Sequence, residues 1–306
     1  ERARHSSVGT LSEPVRGHAA FLREARARKM DLLELYRSTD ALTLALYACA
    51  LSAAWCWVVS LVTGNYSQVD RLWSILPVLY VFHFAAHGGF TDARLALMTT
   101  LVVLWGTRLT YNFARKGGYR PGGEDYRWPE LQAALGPVAF QLMNATFVAP
   151  FQNLLLLLIA TPAYVASQSR AHPLTTLDLV AATLFLLFFA GETVADQQQW
   201  RFQTAKQERR ARGESGGQDF VSTGLFRYSR HPNFFCEQGM WWSFYLFAVA
   251  ASGRWLHWSI AGAAILTLLF QGSTTLTERI TLRKYPGYAE YRRRTSRLLP
   301  WPPRAG

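Results

Sequence analysis

The sequence predicts an all-α membrane bundle of about seven transmembrane helices, preceded by a basic amphipathic arm. Half of the 306 residues are apolar and only 17% are charged, against roughly 25% charged in soluble domains. Seven apolar runs approach or reach the about 20 residues that a helix needs to cross a bilayer. Basic residues gather in loops that alternate between these runs. The formal net charge of +12 therefore reflects the basic loops of a membrane protein. No RNA- or DNA-reading motif accompanies it.

Residues 1–40 form the arm. Within it Phe21, Leu22, Ala25, Leu32, Leu33 and Tyr36 recur at roughly helical spacing, with Arg23, Arg26, Arg28 and Lys29 between them. Such a stripe fits a helix lying on a membrane surface or on a partner protein. A solvated surface helix is the alternative. The chain opens at Glu1 without a starting Met, as expected where an upstream transit peptide has been removed or where the sequence is incomplete.

Residues 41–306 form the membrane domain. The expected spans are 41–63, 72–88, 93–114, 146–166, 175–199, 234–252 and 256–277. The interval 115–145 holds Gly117-Gly118, Pro121-Gly122-Gly123 and Trp128-Pro129, which reads as a structured loop. Interval 200–233 is polar and basic, and 278–306 is a basic tail. Seven spans put the termini on opposite sides. With both intervals and the tail on the cytoplasmic-equivalent side, the opposite loops hold only Arg94, Arg170 and Arg254, in keeping with the positive-inside rule. The basic arm falls on the other side. Cys49, Cys56 and Cys236 form no Cys-x-x-Cys, so neither a disulfide framework nor a zinc or redox pair is expected.

Ionisable residues inside apolar helices are costly and usually functional. Asp70 and Arg71 open the second span, and Arg108 and Asn112 close the third. Glu192 and Asp196 stand one turn apart near the end of the fifth. Asn233 and Glu237 open the sixth, and Glu278 and Arg279 close the seventh. All fall near the membrane face of the basic loops. A one-sided set drawn from five helices reads as a binding site open to that compartment. Its acids suit ribose hydroxyls and an amide, and its arginines suit phosphates. A dinucleotide fits, with a lipophilic substrate entering from the bilayer. The alternative is a set of structural ion pairs, such as Glu192 or Asp196 with Arg108.

Pro232 suits the first turn of a helix. Arg227, Arg230 and His231 stand just before it, where free backbone N–H groups and two guanidinium groups would seat a phosphate. The plainer reading is an anchor meeting lipid headgroups at an aromatic belt. His83 and His87 are spaced as metal ligands often are. The other five histidines stand apart, so packing is favoured and no metal is expected. There is neither a Gly-x-Gly-x-x-Gly fingerprint nor a P-loop, so a dinucleotide would be held without a Rossmann domain.

The run Gly224-Leu-Phe-Arg-Tyr-Ser-Arg-His-Pro-Asn-Phe-Phe-Cys-Glu237 resembles the C-terminal half of the steroid 5-alpha-reductase superfamily. From about residue 60 the chain is similar to the bacterial and protist branch of that superfamily, the steroid dehydrogenase C-terminal-like integral membrane proteins. The matching pieces are Val69-Asp70-Arg71-Leu72-Trp73-Ser74, Trp105-Gly106-Thr107-Arg108-Leu109, Gly123-Glu124-Asp125-Tyr126-Arg127-Trp128, Ala195-Asp196-Gln197-Gln198, and Tyr285-Pro286-Gly287-Tyr288 through Arg294-Thr295-Ser296. The resemblance implies a seven-helix fold that binds NADPH at its cytosolic face, with a steroid, sterol or polyprenoid enone between helices. Asp196, Asn233 and Glu237 match cofactor-contacting positions, and Arg108, Glu192, Glu278 and Arg279 match further ones. Asp70 matches a catalytic Glu that holds the substrate ketone. The partner Tyr of that superfamily corresponds to Trp105, whose indole donates a hydrogen bond but cannot deliver a proton. Tyr111 and Tyr66 are the substitutes.

The implied reaction delivers a hydride from NADPH to the β-carbon of the enone while a protonated Asp70 holds the carbonyl oxygen. Two alternatives stand beside it. One is a non-catalytic, reductase-like subunit of a larger membrane complex, mitochondrial or otherwise, reached through the arm. The other is an S-adenosylmethionine-dependent lipid or isoprenylcysteine methyltransferase, because Arg-His-Pro recurs there. The expected location is the endoplasmic reticulum or a bacterial inner membrane, with the mitochondrial inner membrane as the alternative.

Overall fold

The computed structural model describes residues 32–169, 173–214 and 216–304. The chain divides into two compact units, residues 1–44 and 45–306. Most of the expected arm, residues 1–31, lies outside the described residues. In the first unit residues 32–38 are helical, and Asp40 caps the next helix by accepting from the Thr43 N–H at 2.9 Å. That helix, α1, is Ala41–Thr63.

The second unit follows each expected apolar run with a helix. A short α2 (Gln68–Leu72) leads into α3 (Leu76–His87), which has Pro77 in its first turn. Next is α4 (Ala93–Arg115), capped by Asp92 accepting from Arg94 N–H at 2.7 Å and Leu95 N–H at 3.1 Å. The short α5 (Arg127–Leu135) and α6 (Pro137–Met143) follow. A π-turn, Asn144–Phe151, joins α6 to α7 (Gln152–Gln168). Pro150 in that turn lacks an N–H and its ring would strike a carbonyl of a regular helix, so the wider turn accommodates it. The longest helix is α8 (Thr176–Ala211), opened by a capping box between Thr175 and Asp178. A 3-10 turn, Gly224–Arg227, precedes α9 (Pro232–Ser252), and α10 (Ile260–Lys284) and α11 (Tyr288–Arg294) complete the chain.

Among the described residues, four helical stretches are long and apolar enough to cross a membrane: Ala41–Thr63, Pro137–Gln168, Thr176–Ala211 and Ile260–Lys284. They make this a membrane-embedded helical protein. At 12 residues α3 is a shorter apolar helix, about 18 Å long. Two boundaries differ from the sequence expectation. The helix at the fourth expected span begins at Pro137, inside the interval read as loop, because Pro137 starts a helix after the positive-φ Gly136 (φ 75). Helix α8 runs 12 residues past the expected end at 199, since Gln, Lys, Glu and Arg are good helix formers once the apolar run has ended.

Helix α9 packs along α8 over most of its length and also touches α7 and α10. Its inner face buries Trp241, Phe244 and Phe247, and Phe244 meets Phe185 of α8. Helices α7 and α10 approach closely at Gly262, where an added Cβ would meet the Leu158 carbonyl and the Ile159 nitrogen. Backbone cannot yield as a flexible side chain can. Gly262→Ala is therefore expected to cost about 1–3 kcal/mol of stability, read as a lower melting temperature in detergent. Unchanged melting would show that the two helices are further apart. Near the C-terminus, Ser229 and Ser296 form an isolated parallel bridge. The Arg230 N–H donates to the Ser296 carbonyl at 2.8 Å and the Trp301 N–H to the Tyr228 carbonyl at 2.9 Å, so the tail is stitched to the segment before α9.

Candidate functional site

A cavity of about 1180 Å³ opens among α2, α4, α5, the π-turn, α8, α9, α10 and the C-terminal segment. Its first polar wall comes from α8 and α9. Glu192 and Asp196, one helical turn apart, face Arg108 of α4. The guanidinium bridges them, with Nη2 2.7 Å from Glu192 Oε1 and Nη1 2.7 Å from Asp196 Oδ2. Asn112, one turn beyond Arg108, donates to Asp196 Oδ2 at 2.8 Å. Lys116 Nζ lies 3.9 Å from Asp196 Oδ1. The Asn112 carbonyl accepts in turn from Arg115 at 2.7 and 2.9 Å. This network ties α4 to α8, as the ion-pair alternative anticipated.

Glu237 is held differently. Its two oxygens accept from the indole N–H groups of Trp105 and Trp241, each at 2.9 Å. The two rings meet edge to face at 4.9 Å. Both carboxylate oxygens are thus oriented by the chain itself. Two polar groups on this wall are held less fully: Glu192 Oε2 is buried and accepts from no donor among the described residues, with the Glu237 carboxyl beside the Glu192 carboxyl, and no described residue engages the Asn233 amide.

The second polar wall comes from α2 and α5. Asp70 Oδ2 accepts from Trp128 Nε1 at 2.9 Å. Burial pushes the Asp70 carboxyl above its ordinary range, against the opposing pull of Arg127. Arg127 is itself paired with Asp125 at 2.8 and 3.0 Å and donates to Ser273 Oγ at 2.7 Å. Arg71 braces the loop below by donating to the carbonyls of Gly118 and Gly123 at 3.3 and 2.8 Å. Apolar surface completes the cavity, from the stacked Phe147 and Phe151 of the π-turn (5.0 Å) and from Ile265, Leu268 and Leu269 of α10.

A profile described as a protein of unknown function, DUF1295, matches residues 56–295, which include both polar walls. The chain belongs to the DUF1295 family. It is 39% identical over 286 residues to the uncharacterized protein C594.04c of Schizosaccharomyces pombe, covering 89% of this chain and 83% of that protein. No solved structure matches it.

Of the residues singled out in this DUF1295 chain, Asp70, Asn112, Glu192, Asp196, Asn233, Glu237 and Arg279 line the cavity. Arg108 lies directly behind Glu192 and Asp196. Others are placed elsewhere. Arg230 and His231, expected at a phosphate seat, are spent on Glu278, at 2.7 and 3.1 Å. Arg230 also donates to the carbonyls of Arg292 and Thr295. A buried carboxylate already fills the place foreseen for the phosphate, and the three residues fasten the start of α9 to α10 and the tail. Arg227 is exposed on the 3-10 turn, away from the cavity.

Tyr111, expected as a proton donor, is 65% exposed and lies under the Arg115 guanidinium at 5.5 Å. Trp105, Arg108 and Asn112 share the inward face of α4 at helical spacing, which turns Tyr111 outward. Tyr66, the other substitute, is buried and accepts from Gln141 Nε2 at 2.6 Å, off the cavity wall. His83 and His87 have ring centroids 6.1 Å apart. Among the described residues no group of three or more His, Cys, Asp or Glu is placed to hold a metal ion.

Sequence reasoning left out Lys116, Trp128 and Arg297, which also line the cavity. Trp128 belongs to the Gly123–Trp128 motif, and its approach to Asp70 needs the loop to fold back. Arg297 carried no signal, since it stands among many arginines of the tail.

Proposed function

We propose that this protein is an NADPH-dependent reductase of a conjugated double bond in a lipid-like enone. The observation that carries the reading is the cavity. Its volume, about 1180 Å³, exceeds the roughly 300–1,000 Å³ of ordinary small-molecule sites, and it has two separate polar walls. Two ligands side by side fit such a space. The resemblance to the steroid 5-alpha-reductase superfamily points the same way.

The α8–α9 wall suits the dinucleotide. The unengaged Asn233 amide complements a carboxamide. Glu192 Oε2, buried without a partner, is an acceptor for an amide or a ribose hydroxyl. Lys116, at the end of α4 with its Nζ 3.9 Å from Asp196 Oδ1, offers a charge to a phosphate. Bound there, NADPH would supply a hydride to the enone β-carbon. Asp70, whose carboxyl burial pushes above its ordinary range, would in its protonated form donate a hydrogen bond to the substrate carbonyl and stabilise charge developing on its oxygen. Trp128 positions Asp70 by binding its other oxygen.

This division of roles sets an expected result. Removing one such donor typically costs about a hundredfold to a thousandfold in turnover. Asp70→Ala should lose about that in enone-dependent NADPH oxidation, with NADPH affinity within twofold of wild type. Asp70→Asn should lose less, because its amide can accept from Trp128 and still donate to the carbonyl. An Asp70→Ala variant that turns over normally, or that loses NADPH binding instead, contradicts the assignment.

A second reading has its own observation. Glu237 is satisfied by Trp105 and Trp241, and Arg230 and His231 by Glu278. Groups matching cofactor contacts are thus engaged by the chain itself, as in a non-catalytic subunit of a larger membrane complex. That reading gives no turnover with any enone. The methyltransferase reading would give binding of S-adenosylmethionine in place of NADPH.

The topology proposed with this function has seven crossings: α1, α3, α4, α6 through α7, α8, α9 and α10. Cysteines placed at Arg120 and Arg304 should then be labelled from the same side of sealed vesicles. The native cysteines are buried and give little background. Labelling of the two positions from opposite sides would sink the seven-crossing count.

A further inference from the structure

The acceptor's own chemistry is written on α10. This helix lines the cavity from Ile265 through Leu268 and Leu269 to Thr275 and Arg279, a run of about 21 Å at 1.5 Å per residue. Its first part is apolar and its last part is polar and cationic. Leu268 lines the cavity yet is 70% exposed, so the apolar part opens outward on a helix apolar and long enough to cross a membrane.

At the cationic end, Arg297 of the tail reaches over the same face and donates to the Gln271 carbonyl and Thr275 Oγ1. Thr275 and Arg279 are one turn apart, and Arg279 and Arg297 both line the cavity. Neither has a carboxylate partner among the described residues, whereas Arg94, Arg108, Arg127 and Arg230 each have one. Arg297 Nε is buried and makes no hydrogen bond among the described residues. Arg279 is exposed and Arg297 half-buried; two arginines that line one cavity without a carboxylate, one of them with an orphaned buried N–H, are short of an anion.

We infer that the acceptor is an anionic amphiphile, with its phosphate or carboxylate head between Arg279 and Arg297 and its apolar tail along Ile265, Leu268 and Leu269. The assignment of this ligand as the acceptor rests on the reductase reading; the anion seat itself does not. The same seat could take a phosphate of the dinucleotide, and the test separates the two.

Binding of monododecyl phosphate to the full chain in neutral detergent is measured by isothermal titration, beside dodecanol and inorganic phosphate. Monododecyl phosphate should bind at least tenfold more tightly than either, because only it satisfies both ends. Arg279→Gln and Arg297→Gln should each weaken it tenfold or more. Arg297→Lys, which keeps the charge and can still reach Thr275, should recover part of the loss and control for folding. Arg254→Gln, in the loop between α9 and α10, should change nothing. Equal affinity for dodecanol, or arginine variants that bind as wild type, would overturn the inference. So would variants that lose NADPH but keep monododecyl phosphate, since the seat would then belong to the dinucleotide. A wild-type protein that binds the amphiphile but no NADPH leaves the seat standing and removes the reductase reading.

Discussion

Asp178→Ala should lose about 4–6 kcal/mol of stability while leaving the cavity intact. Asp178 sits at the start of α8 and Arg94 at the start of α4, and they are 0% and 1% exposed. The contact is bidentate, at 2.6 and 2.9 Å. Breaking a buried pair by removing one partner typically costs about 3–5 kcal/mol, because the other charge is stranded. Asp178 is also half of the capping box, accepting from the Thr175 N–H at 2.7 Å, and losing a cap costs roughly 1 kcal/mol more. Denaturant unfolding in mild detergent measures the difference. A loss under about 1 kcal/mol would mean that water reaches Arg94.

Arg108→Met is the second large effect, expected at about 3–5 kcal/mol on the same grounds. It leaves Glu192 and Asp196 facing each other across the place of the bridging guanidinium. Arg108→Lys should recover only part of this, because a point charge cannot span two carboxylates as a planar fork does. Adding Asp196→Asn to Arg108→Met should restore stability, and the double-mutant cycle gives the coupling directly. Additive losses would show that the two residues do not act together.

Much of this framework was legible in the sequence for identifiable reasons. Pro232 opens α9 where its missing N–H costs nothing, and the pairing of Arg108 with Glu192 and Asp196 was one of the two readings open to costly charges in apolar helices. Asp70 stood at the head of an apolar run and lines the cavity. The Trp241 contact to Glu237 follows helical spacing of four residues, whereas the Trp105 contact spans 132 positions and depends on how α4 crosses α9. Glu278 takes Arg230 from 48 residues away, so a carboxylate that reads as part of a ligand site becomes a clasp. Hydropathy marked where α8 stops being apolar but not where it stops being helical. Arg297 became visible only when the tail folded back onto α10.

Titration of the purified wild-type chain with NADPH and, separately, with S-adenosylmethionine tests the central claim most directly. Quenching of tryptophan emission is a suitable readout, since Trp73 and Trp128 line the cavity. The α8–α9 wall, with its unengaged Asn233 and the orphaned Glu192 oxygen, predicts saturable quenching by NADPH and none by S-adenosylmethionine, with the NADPH response weakened about tenfold in Asn233→Ala, equivalent to about 1.4 kcal/mol. Saturable binding of S-adenosylmethionine alone, or no response to either, would contradict it.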